Sequence, residues 1–127
     1  MIATRSTRSR RSTEGCPFCL GNGMIPSEKI VARTPWAYLV VEYSQTVPGT
    51  YQIVPKWHKM NTLQTALYAL SLLWLIRKAP PSRVDFNLSF NFGSGAGQTV
   101  PHVHAWLIPR VGQYAGRGLA YYVANPH

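Results

Sequence analysis

Residues 91–109, NFGSGAGQTVPHVHAWLIP, decide how the rest of the chain is read. Gly93, Gly95 and Gly97 fall within five positions, and glycine lets backbone N–H groups approach an anion closely. Val100, His102, His104, Trp106 and Ile108 follow at every second position. Residues 100–109 therefore predict a strand that presents those five side chains on one face. Upstream, Val84, Phe86, Leu88, Phe90 and Phe92 alternate with Asp85, Asn87, Ser89 and Asn91, which predicts a half-buried strand. The layout is strand, anion-binding loop, then a strand carrying two imidazoles. A phosphate beside a nucleophile is its simplest use, and a tight hairpin with two hydrogen-bonded histidines satisfies the same pattern.

Working outward, residues 36–43 (WAYLVVEY) and 50–54 read as strands joined through the turn Val47-Pro48-Gly49, and residues 29–32 as a short strand before Thr34-Pro35. Asn61 or Thr62 is placed to cap a helix running to about Lys78, with Arg77 and Lys78 at the negative end of its dipole and Pro80-Pro81 stopping it. These elements imply an α+β fold, an antiparallel sheet of about five strands with one main helix. The helix is apolar on more than one face, which implies a second buried surface such as a homodimer contact. Its run ALYALSLLWLI, residues 66–76, falls well short of the roughly 20 residues a bilayer span needs. No membrane role is expected.

At 127 residues the chain has room for one core. The net charge of +9 points toward nucleic acid, yet four of the thirteen basic residues, Arg5, Arg8, Arg10 and Arg11, crowd into the first twelve positions. Residues 1–13 lack the apolar side chains needed to offset ordering entropy, so they are expected to form a disordered basic tail ahead of a domain at 14–127. The tail has no apolar stretch of the kind a secretory signal carries, which makes the cytoplasm the default compartment. A transit peptide or a nucleic-acid-binding arm shares its composition. Cys16 and Cys19, the only cysteines, form a C-x-x-C, which outside a secreted chain favours metal or redox chemistry over a structural disulfide.

The run GAGQTVPHVHAWLIPR resembles the signature of the histidine triad family, G-x-x-x-G-Q-x-V-x-H-φ-H-φ-H-φ-φ. YQIVPKWHK resembles the strand of that family ending in P-K-x-H, and Cys16-Pro-Phe-Cys19 resembles an opening found in several of its members. The matched segments span roughly residues 16 to 110, in the order of the family. The resemblance implies that His104 attacks the α-phosphorus of a nucleotide and becomes a covalent nucleotidyl-histidine. It implies ribose-phosphate and leaving-group contacts from Asn91, Gly97, Gln98 and Thr99, with Gln98 and Thr99 assisting catalysis, and a ribose contact from Glu42. It further implies a structural zinc ion, Zn(2+), on Cys16, Cys19, His58 and His102, as in the uridylyltransferase-like and several bacterial members. Two thiolates and two imidazoles make a closed tetrahedral set.

One position departs from the family. Trp106, which falls among the nucleotide-contacting positions, stands where a third histidine, or glutamine in the uridylyltransferase branch, is usual. Indole donates one hydrogen bond and cannot act as an acid. The expected function is therefore a nucleotide-binding hydrolase or nucleotidyltransferase acting on a phosphate ester, anhydride or amide. The alternative is a catalytically weak nucleotide-binding module. A third reading, processing of adenylated DNA ends through the basic tail, ranks last. Full uridylyltransferase activity is not expected, since that enzyme resembles two such domains fused. His127 is expected to be exposed rather than to replace the missing triad histidine.

Overall fold

The computed structural model describes residues 13–126, so the expectations placed on residues 1–12 and on His127 lie outside the described residues. Five strands form: β1 (Ile30–Arg33), β2 (Ala37–Val41), β3 (Tyr51–Pro55), β4 (Phe86–Phe90) and β5 (Ala105–Pro109). They make one sheet in the order β1-β2-β3-β5-β4, and every neighbouring pair is antiparallel. Among the described residues two α-helices accompany them, α1 (Thr62–Ile76) and the short α2 (Leu119–Ala124). This is the α+β architecture expected from the sequence, with α2 as an addition.

Both strands around the glycine loop are shorter than their alternation suggests. Ladder pairing begins at Ala105 rather than Val100. Pro101 has no N–H to give to a ladder, and the His102 carbonyl is taken by the His104 ring at 2.7 Å. At the other strand, Val84 N–H is engaged by Pro81 C=O in a tight turn, and the chain leaves the sheet after Phe90. Side-chain alternation persists beyond the ladder because extended backbone alternates whether or not it is paired.

Strand register sorts the sheet into two faces. Leu39, Ile53, Ala105 and Phe90 form one row across four strands, and Val40, Gln52, Trp106 and Ser89 form a row on the opposite face. The first face packs on α1 through a core containing Leu39, Ile53, Tyr68, Leu75, Ala105 and Leu107. The Tyr68 hydroxyl donates to Ile53 C=O at 2.6 Å and ties the helix to the sheet. Asn61 starts α1 with a capping box: its side chain accepts from Gln64 N–H at 2.8 Å, and the Gln64 side chain accepts from Asn61 N–H at 3.0 Å. On the outer surface of α1, Leu63 and Leu73 are 67% and 65% exposed, and Leu70 is exposed too. No helix among the described residues is long and apolar enough to cross a membrane.

The second face is covered at the β1–β3 end by the N-terminal segment. Phe18, Leu20, Ile25 and Ile30 pack on Tyr38, Val40 and Val54, and the Tyr38 hydroxyl donates to Phe18 C=O at 2.6 Å. Over the β4 end lies the C-terminal segment, leaving a cleft of about 430 Å³ lined by Val47, Asn87, Ser89, Ile108, Tyr114 and Tyr122 among others. Between these two covers lie His104 and Trp106.

Candidate active site and metal centre

His104 precedes the first residue of β5 and belongs to the second face, where Phe18 packs against its ring at 4.5 Å between centroids. It is 7% exposed. Its Nδ1 lies 2.7 Å from His102 C=O, an acceptor only, so Nδ1 carries the proton and donates it while Nε2 keeps its lone pair. Burial lowers the His104 pKa, and the hydrogen bond to His102 C=O opposes that shift without reversing it. A neutral imidazole with Nε2 free is the nucleophilic form.

The glycine loop between β4 and β5 is braced by its own side chains. Gln98 accepts from Gly93 N–H at 2.9 Å through Oε1 and donates from Nε2 to Val100 C=O at 3.0 Å, so its amide braces the loop. Gly97 has φ +93, and a Cβ there would meet Asn91 Nδ2 at 3.5 Å, which places the Asn91 amide directly beneath the loop. Thr99 is exposed at the end of the loop. Trp106 lies next to His104, with ring centroids 5.8 Å apart. Its Nε1 is buried and has no hydrogen-bond partner.

Glu42 lies just past β2 and is only 6% exposed. Its carboxylate accepts from Ser44 N–H and Ser44 Oγ, both at 2.7 Å, and from Gln45 N–H at 2.8 Å. These bonds close a turn in which Gln45 adopts a φ of +50. Most of the acceptor capacity of Glu42 is thus already engaged by its own loop.

Cys16, Cys19, His58 and His102 come together with all four ligand atoms within 4.8 Å of one another. His102 Nδ1 stands 3.6 Å from both sulfurs, and His58 Nδ1 stands 3.4 Å from Cys19 Sγ. Zinc bonds of about 2.3 Å to sulfur and 2.0–2.1 Å to nitrogen give a tetrahedron a sulfur–nitrogen edge of about 3.5 Å, so the residues fit that ion. His102 Nε2 donates to Pro55 C=O at 2.8 Å, which turns Nδ1 toward the thiols as a ligand. Without metal, burial pushes the His102 pKa down to about 4 and the Cys19 thiol up to about 11, with Cys16 adding to the latter. Burial, then Lys59, also lowers His58. The imidazoles are ready ligands, while the thiols release protons when a metal enters.

Two contributors escaped the sequence reading. Phe18, inside the C-x-x-C, touches the rings of both His102 and His104. Its position between the two cysteines was the available signal, since a knuckle that grips a metal must aim its intervening side chains somewhere. The Pro55 carbonyl had no signal of its own, because backbone acceptors are invisible until the packing of residues 101–104 against the end of β3 is known.

No family model matches the chain. It is similar to an adenosine 5'-monophosphoramidase of Saccharomyces cerevisiae, 30% identical over 120 residues that cover 91% of this chain and 75% of that protein. An adenosine 5'-monophosphoramidase of Schizosaccharomyces pombe is 31% identical over 111 residues, 84% of this chain and 82% of its own. Among solved structures, a HIT family protein from Bacillus anthracis aligns with a TM-score of 0.66 at 32% identity, over 83% of this chain and 79% of that one. These similarities extend over most of both chains and include the segment that carries His102 and His104, so the protein belongs to the histidine triad family.

Proposed function

We propose that the protein is a nucleotide hydrolase or nucleotidyltransferase that works through a nucleotidyl-histidine at His104. The observation that carries this reading is the hydrogen bond from His104 Nδ1 to His102 C=O, which leaves Nε2 with its lone pair as the nitrogen that can attack. The Nε2 lone pair forms a bond to the α-phosphorus as the P–O or P–N bond to the leaving group breaks. The leaving group departs with its electron pair and takes a proton from solvent, to which the attacking water or acceptor later returns one. Water, or an acceptor in the transferase case, then attacks the same phosphorus, breaks the P–Nε2 bond and restores neutral His104. Charge on the transferring phosphoryl would be met by Asn91, Thr99 and the loop N–H groups that do not already donate within the loop, those of Gly93, Ala96, Gly97 and Gln98 being engaged there. Glu42 would hold the ribose with the acceptor capacity that its turn leaves over.

A zinc ion on Cys16, Cys19, His58 and His102 would supply a cross-link between the N-terminal segment and the active strand. Its place in the scheme is structural, and the catalytic steps belong to His104 and the loop. The uncovered leucines of α1 and the free edge of β4 support a homodimer, whose test is a gel-filtration mass across micromolar concentrations.

Trp106 favours a second reading, a nucleotide-binding module with weak turnover, because its indole N–H is buried and cannot protonate a leaving group. Labelled adenosine phosphoramidate and diadenosine polyphosphates, incubated with wild type and His104→Ala, separate the two. AMP release and an acid-labile nucleotidyl-protein in wild type alone support the enzyme. Binding without turnover in both supports the module, and equal AMP release by both removes His104 from the mechanism.

A further inference from the structure

The centre of the sheet's second face holds a polar side chain that neither the fold nor the mechanism above uses. Gln52 lies in the middle of β3, paired across the strands with Val40 on one side and Trp106 on the other. It is 5% exposed, and its side-chain amide makes no hydrogen bond within the described residues. Neither Oε1 nor Nε2 is sealed from solvent, so the small exposed area of the residue includes its amide. The other polar residue nearby on this strand face, Thr50, is satisfied: its hydroxyl donates to Val47 C=O at 2.7 Å. A leucine or methionine would fill this position beside Val40 and Trp106 without leaving an amide unpaired.

Register places Gln52 between the two ends of the proposed nucleotide site. His104 lies one strand over and about two residues along, roughly 8 Å from Gln52 by strand spacing and rise. In the other direction β3 leads to Thr50, whose carbonyl accepts from Glu42 N–H. A ligand with its phosphate at His104 and its ribose toward Glu42 passes over Gln52. On one flank the way is closed by Phe18 and Leu20, packed on Val40 and Val54. On the other it is bounded by the Trp106 ring.

We infer that Gln52 is a nucleotide-contacting residue whose amide hydrogen-bonds the nucleoside part of the ligand. The inference rests on the nucleotide reading proposed above and adds a residue to it. An amide offers both a donor and an acceptor, which suits a ribose oxygen or the edge of a base. The competing role is internal: Gln52 Oε1 could rotate to accept the orphan indole N–H of Trp106, and would then serve the fold alone.

Calorimetric titration of AMP, GMP, CMP and UMP into the full chain as wild type, Gln52→Met and Gln52→Glu tests the assignment. Methionine keeps the volume and removes the amide. Gln52→Met is expected to keep or raise Tm and to weaken AMP binding on the order of tenfold. Gln52→Glu is expected to bind more weakly still, with a difference that shrinks at high salt as its repulsion of phosphate is screened. A loss common to the four nucleotides assigns the contact to the ribose, and a base-dependent loss assigns it to the base; both support the inference. A Gln52→Met variant that binds AMP as wild type does, with a lowered Tm, overturns it in favour of the internal role. Failure of wild type to bind any of the four overturns the nucleotide reading and this inference together.

Discussion

The carbonyl oxygen of His102 accepts the Nδ1 proton of His104 at 2.7 Å, while the ring of His102 faces the two cysteines with Nδ1 3.6 Å from each sulfur. One residue therefore joins the proposed metal-binding cluster with its side chain and orients the proposed nucleophile with its backbone. Loss of metal is expected to reach His104 by this route and through Phe18. Protein purified without chelator should contain about one zinc per chain, and stripping it should lower Tm and release the N-terminal segment to proteolysis. Far less than one zinc, or a Tm indifferent to chelation, would reject the metal assignment.

Substitution of His104 separates chemistry from folding. His104→Asn is expected to lower kcat by at least a thousandfold on an adenosine phosphoramidate, with AMP affinity changed only a few-fold and no acid-labile nucleotidyl-protein formed. Residual turnover at the wild-type rate would place the nucleophile elsewhere.

Trp106→His restores an imidazole two residues beyond the nucleophile on the same face. General acid assistance contributes about 10²–10⁴ in rate, so turnover of substrates with poor leaving groups should rise toward that range. A rate that stays flat for every leaving group would mean that another donor already protonates the departing atom.

The hydroxyl of Tyr68 is a polar tie between α1 and the centre of the sheet, beside the bond of Ser71 to Thr34 at 2.6 Å. Tyr68→Phe leaves Ile53 C=O without that donor in the core and is expected to cost about 1–2 kcal/mol, read from urea unfolding with an unchanged m-value. Asn61→Ala removes one half of the capping box and is expected to cost about 1 kcal/mol. The two sites are separated along α1, and their effects should add.

Much of the fold was legible because periodicity reports a face whether or not a ladder forms. The alternation from Val100 to Ile108 placed His104 and Trp106 on one side correctly, although β5 begins only at Ala105. Strand order was beyond that method: nothing local announces that β5 lies between β3 and β4. The clustering of the Cys16–Cys19 pair with His58 and His102 was legible only through family resemblance, since the pair and the two histidines are far apart in sequence. Side-chain assignments fared less evenly. Gln98 and Glu42, expected to contact a nucleotide, bond to their own loops, Glu42 with three hydrogen bonds and Gln98 with two, and pattern reading does not count bonds.

The strand order has a consequence for how the molecule is made. β4 has β5 as its one partner in the sheet, and β3 exposes an open edge until β5 fills it. As the chain emerges from the ribosome, β1 to β3 can zip as a meander beneath α1, while β4 waits without a ladder. Arrival of residues 105–109 closes both gaps at once and seats His104 as it does so. Seating of His104 thus waits for the last strand of the sheet, and the unpaired edge of β3 is the surface most in need of protection until then.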